Sequence, residues 1–499
     1  MPQPTVAGSA KELLGLLSGI AHLEGDRLVV DDEAALRDRG IRDIVWTATF
    51  SSDPGLIEAA RWLAWESAQA VGIRSASIHA LYMARGRGEC GGFTVPAINL
   101  RTQVFDMSRV IHETAKKNGV GTVILELARS EQEYTFQRPG EYLTSCLAGA
   151  VASGWKGPVF IQGDHYQFNA KKYAADPEAV AEGLRKLIRE AVAVGYGNID
   201  IDSSTLVDMS QPTVPEQQRV NFVRAAELTA LIREVEPAGL TVSIGGEIGE
   251  VGGHNSSEAE LRAYLDGYRG ELTKRAGEKA IGLSKVSVQT GTSHGGVPLP
   301  GGGVAEVKLD FGTLERLSTV CREYGLAGAV QHGASTLPDE LFDRFPAVGA
   351  AEIHLATGFQ NLLYDHPATP ESLKDEVAVW CSANCADERS EGQTETQFLY
   401  KSRKKALGPL KRRLWELETK DEILVTQAAK VDQYFRLLGV YDTQKLVEKH
   451  ISASELHRPA PESIRAVLAG LGRPAPVSSA RRSCSALRPP SSFAAGRSG

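Results

Sequence analysis

Three of the eleven histidines in this 499-residue chain stand where a short apolar run hands over to a loop. His165 closes Phe160-Ile161-Gln162-Gly163-Asp164, His294 follows Val288-Gln289-Thr290-Gly291-Thr292-Ser293, and His332 follows Ala329-Val330-Gln331. Neutral imidazole is a good zinc ligand, and three protein ligands leave a coordination position open for substrate; a structural zinc would take four, usually with cysteine. A lone histidine at such a place is ordinarily a hydrogen-bonded surface group. What favours ligation is that each of the three lies in a glycine-flanked motif at the same end of its run, where backbone N–H groups can approach an oxyanion. Asp164 adjoins His165 and so sits near any metal there. Strict strand alternation would turn only one of the two inward, so the loop is expected to begin at this pair.

The elements that must position these residues follow from periodicity. Eight Val- and Ile-rich runs occur at 94–100, 122–128, 158–165, 198–204, 240–249, 285–291, 327–333 and 351–357. Amphipathic stretches alternate with them; one opens at Asp176-Pro177 and continues Val180, Leu184, Leu187, Ile188, Val192. Eight strand–helix units over roughly 265 residues predict an α/β fold, a (β/α)8 TIM barrel, whose C-terminal strand ends form one active rim. An open doubly wound sheet is less suited, because no glycine-rich dinucleotide turn follows the first strand. The expected organisation is a helical N-terminal extension over 1–92, the barrel over 93–366, a helical C-terminal extension over 367–470 and a disordered basic tail over 471–499. Ser9 with Glu12, and Asp53-Pro54, mark helix starts in the first part. Leu410, Leu414, Leu417, Val431, Tyr434, Leu437 and Leu438 mark apolar faces in the third.

A formal charge of -7 argues against a nucleic-acid partner. No apolar run reaches membrane-spanning length, and no secretory signal opens the chain. Six scattered cysteines fit reduced thiols, with Cys381 and Cys385 structural, so a cytoplasmic protein is expected.

Five motifs occur in order on the predicted strands: Val95-Pro96-Ala97-Ile98-Asn99, Gly163-Asp164-His165, Gly246-Glu247-Ile248-Gly249, Gly291-Thr292-Ser293-His294-Gly295 and Gln331-His332-Gly333-Ala334-Ser335. Together they resemble the class II, metal-dependent fructose-bisphosphate aldolases and related ketose-bisphosphate aldolases over roughly residues 94–360. The resemblance implies that His165, His294 and His332 bind one catalytic Zn2+ and that Asp164 is the catalytic acid/base. It places Glu247 and Asp208 at further metal positions, with room for a second metal or a monovalent cation. Substrate contacts are implied for Asn99, Gly295, Gly333, Ser335, His354 and Thr357. Glu250 or Glu258 would supply a mobile acid. The sequence departs from the family pattern where His354 and Ala356 replace an Asn and an Asp, and where Arg129 follows the second strand; Arg129 is expected to take over a phosphate contact. The implied activity is reversible cleavage of fructose 1,6-bisphosphate to dihydroxyacetone phosphate and glyceraldehyde 3-phosphate, a step of glycolysis and gluconeogenesis, in a homo-oligomer. Tagatose 1,6-bisphosphate or another phosphoketose, a silent barrel binding a partner, and a sugar isomerase are the alternatives; retention of all three histidines and Asp164 counts against silence.

Overall fold

Before the barrel begins, the chain forms a hairpin, β1 (Ala21–Glu24) and β2 (Arg27–Val30), and a short strand, β3 (Ile73–Ala76). In this computed structural model, residues 3–249, 254–291, 309–334 and 337–470 are described. Eight parallel strands follow: β4 (Val95–Asn99), β5 (Ile124–Ala128), β6 (Gly157–Gln167), β7 (Asn198–Asp202), β8 (Ser243–Glu247), β9 (Lys285–Val288), β10 (Ala329–Gln331) and β11 (Glu352–Leu355). Each pairs with the next, and β11 pairs with β4, Glu352 opposite Val95, which closes the barrel. All eight predicted runs become these strands. Helices join them, such as Pro177–Val194, where Asp176 accepts from the Ala179 N–H and Gly195 ends the last turn.

Side-chain alternation divides each strand between two environments. On β7, Ile199 and Ile201 face the helices while Asp200 and Asp202 face inward; on β9 and β11 the inward residues are Lys285 and Ser287, then Glu352 and His354. Barrel interiors of this architecture are usually filled by branched aliphatic side chains. Here the interior is polar and buried, a departure with consequences for the site.

The N-terminal part is less helical than its periodicity predicts. The helix capped by Ser9 stops at Leu16, and the chain turns at Gly19 into the hairpin instead of carrying the helix through Ile20. The second helix runs Pro54–Ala70, capped by Asp53 as expected. β3 pairs with the first residues of β6, on the edge that β7 takes further along. Asn198 bridges the two, accepting from the Ile78 N–H at 3.0 Å and donating to the Ile161 carbonyl at 3.0 Å.

After the barrel the chain is helical from Glu371–Asn384 onward. Leu414, Leu417, Val431, Tyr434 and Leu438 are buried, and Cys381 and Cys385 are free thiols in a small apolar cluster with Leu363 and Leu373. The chain then returns to its start. The Trp62 and Trp65 indoles donate to the carbonyls of Arg458 (2.9 Å) and Leu456 (2.7 Å), and buried Glu66 accepts from the Arg458 N–H. The tail over 471–499 lies outside the described residues. No helix among those described is long and apolar enough to cross a membrane.

One buried group offers a clean test of the core. His112 lies against Trp155, its Nδ1 2.7 Å from the Ser108 carbonyl, and burial pushes its imidazole down to about 4. Between pH 6.5 and 4 the unfolded chain then binds a proton that the folded chain refuses, so stability falls as pH falls. We expect His112→Gln to flatten the pH dependence of unfolding free energy between pH 7 and 5 by about 2 kcal/mol, measured by chemical denaturation; an unchanged slope would show that this imidazole does not resist protonation.

Candidate active site

Both Asp164 and His165 reach the barrel mouth, but not because the loop starts between them. β6 continues to Gln167, and its pairing with β7 slips between Gly163 and Tyr166, with His165 in the left-handed region at φ 43°. A bulge of this kind re-aims side chains without ending the strand. Gly163 is required here: a Cβ would lie 2.5 Å from the Tyr166 ring. The bulge brings His165 Nε2 to 2.9 Å from His332 Nδ1, and the donor atoms of Asp164, His165 and His332 lie within 4.8 Å of one another. His332 Nε2 contacts Ser287 Oγ at 2.9 Å. His165 Nδ1 faces Asp202 at 3.2 Å, while Glu247 comes within 3.9 Å of its Nε2. Asp202 therefore orients the imidazole from behind, as carboxylates do for metal-binding histidines.

A second tier lies beneath. His354 Nδ1 stands 3.2 Å from both Glu126 and Asp164, and its Nε2 is 2.7 Å from Glu352. Lys285 pairs with Asp200 (3.0 Å) and Glu352, and its ammonium donates to Gln162 at 2.7 Å. Six carboxylates, from Glu126, Asp164, Asp200, Asp202, Glu247 and Glu352, are thus buried in one interior. Their ion pairs among the described residues come from Lys285, His165 and His354. Buried charge is costly unless compensated, and the titration shifts express the imbalance. Burial, reinforced by Asp164, pushes Glu126 up to about 7; burial also raises Asp200 to about 6, against the pull of Lys285. Glu247 is raised well above the carboxylate range by burial and by Asp202. His165 is raised despite its burial, because Glu247 and Asp164 favour its charged form. A donor set of imidazoles and surplus buried carboxylates suits a divalent cation at the upper tier, where His165, His332 and Glu247 could hold it with Asp164 alongside.

The site opens into a cavity of about 720 Å³. Asn99, Arg129, Asp164, His165, His332, Gly333, His354 and Thr357 all line it. Asn99 donates to Glu131, and Thr357 lies 3.5 Å from Arg101. His294, Gly295, Ser335 and Glu250 fall outside the described residues. Glu258 opens the helix Glu258–Ala276, beside its cap Ser257. Asp208 requires correction. β7 ends at Asp202, and the following turn carries the chain outward, so Asp208 is exposed and accepts from Ser210 and Gln211 of its own turn. The β7 carboxylate at the site is Asp202. It, Asp200, Glu126, Glu352 and Lys285 were missed from sequence, although the alternation Ile199-Asp200-Ile201-Asp202 marks an inward polar face.

A family model described as "Fructose-bisphosphate aldolase class-II" matches residues 87–405. Among solved structures, a fructose-bisphosphate aldolase from Campylobacter jejuni is 17% identical, with 74% of this chain and 97% of that one covered at a TM-score of 0.44. The YdjI aldolase from Escherichia coli K12 is 15% identical, with 69% and 98% covered at 0.35. A fructuronate-tagaturonate epimerase from Cohnella laeviribosi is 11% identical, with 70% and 82% covered at 0.49.

If Asp202 orients His165 for a metal, Asp202→Asn should keep the fold and weaken metal affinity roughly 10–100-fold. Competition with a chromophoric chelator measures this; equal affinity in the variant would assign Asp202 to barrel structure alone.

Proposed function

The chain belongs to the class II fructose-bisphosphate aldolase family, and on that premise we propose that it is a zinc-dependent aldolase cleaving a ketose bisphosphate reversibly, with fructose 1,6-bisphosphate as first substrate. The observation that carries this reading is the meeting of Asp164, His165 and His332 on the floor of one cavity. His165 and His332 would hold the metal, with His294 as third ligand and Glu247 beside them. Bound there, zinc supplies Lewis-acid polarisation of the substrate carbonyl.

The protein's own groups perform the rest. Asp164 accepts the proton of the C4 hydroxyl as the C3–C4 bond breaks and returns it in condensation. His354, 3.2 Å from that carboxylate, steadies it. The Ser287 contact at His332 Nε2 leaves Nδ1 turned toward the site. Asn99 and Thr357 are positioned to contact substrate hydroxyls or phosphate from the cavity wall.

Tagatose 1,6-bisphosphate or another phosphoketose is the second reading. It is favoured by His354 and Ala356, which stand on β11 and just beyond it where the family carries Asn and Asp. A cytoplasmic homo-oligomer acting on a small sugar phosphate fits either.

Metal analysis should return about one zinc per chain, with EDTA-sensitive cleavage in a coupled assay across several phosphorylated ketoses. Metal-free protein whose activity ignores EDTA would end the proposal. Asp164→Ala should retain metal while turnover falls by about 10²–10⁴-fold, the usual worth of a positioned acid/base; undiminished turnover would remove Asp164 from the chemistry.

A further inference from the structure

The cavity's outer wall does not come from the barrel alone. Helix Glu395–Ser402 and the turn Arg403–Leu407, both beyond the last strand, contribute Lys401 and Lys404, which line the same cavity as Arg129 and Lys172 of the barrel. This wall is fixed in place. The Gly408 N–H donates to the Tyr134 carbonyl at 3.1 Å, and Arg403 pairs with Asp365 at 2.6 Å. Arg129 is held by donating from Nη1 to the Gln167 carbonyl at 2.7 Å.

The charges on this wall are uneven. Arg101 is paired with Glu131, and Lys405 with Glu388. Arg129, Lys172, Lys401 and Lys404 have no ion pair to a carboxylate among the described residues. Two of the four are substantially desolvated: burial lowers the titration of both Arg129 and Lys404. The Lys404 ammonium lies 5.9 Å from the centre of the Tyr134 ring. Glu131, Glu133 and Glu388 stand on the same wall and attract Arg129 and Lys404 from a distance, but no carboxylate is in ion-pair contact with either among the described residues. Cations drawn out of water beside an open cavity are matched more fully when a ligand supplies negative charge in contact with them.

We infer that Arg129 and Lys404, supported by Lys172 and Lys401, form an oxyanion subsite that grips the end of the substrate remote from its carbonyl, so that a segment beyond the barrel selects the substrate. The inference rests on the aldolase reading for the identity of the bound sugar. The shared ligand chemistry is a terminal oxyanion, from a phosphate monoester or from a sugar-acid carboxylate. Arginine suits either through paired N–H donors, and Lys404 adds a point charge.

Glycerol 3-phosphate and glycerate serve as the two probes, titrated calorimetrically into the zinc-loaded protein, Lys404→Met, Arg129→Met and Lys404→Arg. Binding of at least one probe should weaken about tenfold or more in each Met variant, as expected for loss of a charge-assisted hydrogen bond, and recover in Lys404→Arg. Preference for glycerol 3-phosphate assigns a phosphate; preference for glycerate assigns a carboxylate. Both probes binding the Met variants as tightly as the parent, or neither binding the parent, overturns the subsite. In parallel, the Met variants should raise KM for a ketose 1,6-bisphosphate about tenfold, with kcat little changed, yet leave the ketose 1-phosphate unaffected. Equal KM effects on both sugars would also overturn it. Anion binding that depends on Lys404, in a protein that cleaves no ketose, sinks the aldolase reading and leaves the subsite standing.

Discussion

Surplus negative charge inside the barrel is the constraint around which this molecule is organised. Six carboxylates are buried there with one lysine and a set of imidazoles among the described residues. Such an interior is stable only if its charges are arranged in register, and the strands supply that arrangement. Lys285 enters from the first residue of β9 to join Asp200, Glu352 and Gln162, while His354 in the same tier links Glu126 to Asp164 above it. Space has been cleared for the same purpose: a Cβ at Gly245 would lie 2.3 Å from the Asp200 carboxylate. The lower tier thus sets the position of Asp164 from below, and Asp202 sets His165 from behind. The groups that face the cavity are held by others that never reach it.

This arrangement explains which parts of the molecule were legible in its sequence. The eight strands were, because alternating Val- and Ile-rich runs with capped helices between them leave few other architectures. Asp164, His165 and His332 were too, since glycine-flanked polar residues at strand ends announce a rim. The means by which Asp164 and His165 share that rim was not: the left-handed conformation at His165 goes with the shifted register of β6 on β7. Although histidine tolerates that region better than most residues, few histidines adopt it, so the residue type alone does not announce it. Asp208 misled because a short turn separates it from the strand; motif spacing counts residues, while the chain there leaves the barrel after Asp202. The polar interior was visible in principle as alternation on β7, β9 and β11. Its significance lay in contacts between strands far apart in sequence, such as Lys285 with Glu352, which no single window contains.

The segments outside the barrel are integrated with it rather than appended. The N-terminal helix Pro54–Ala70 packs beneath a strand that extends one edge of β6, and the end of the described chain is tied back to that helix through Trp62, Trp65 and Glu66. The segment after β11 occupies two roles at once: it buries an apolar cluster around Leu363 and Leu373, and it brings lysines over the cavity. Similarity to the aldolase family reaches residue 405 and so includes the helix that carries Lys401 and the turn that carries Lys404.

The position of that cavity wall in the chain has a consequence for biosynthesis. During translation every strand of the barrel leaves the ribosome before Lys401 and Lys404 do, and the residues that clasp Trp62 and Trp65 follow later still. A nascent chain that has closed its barrel already holds His165, His332 and Asp164 together, yet its cavity lacks one wall. Completion of the pocket is therefore among the last events in the making of the molecule.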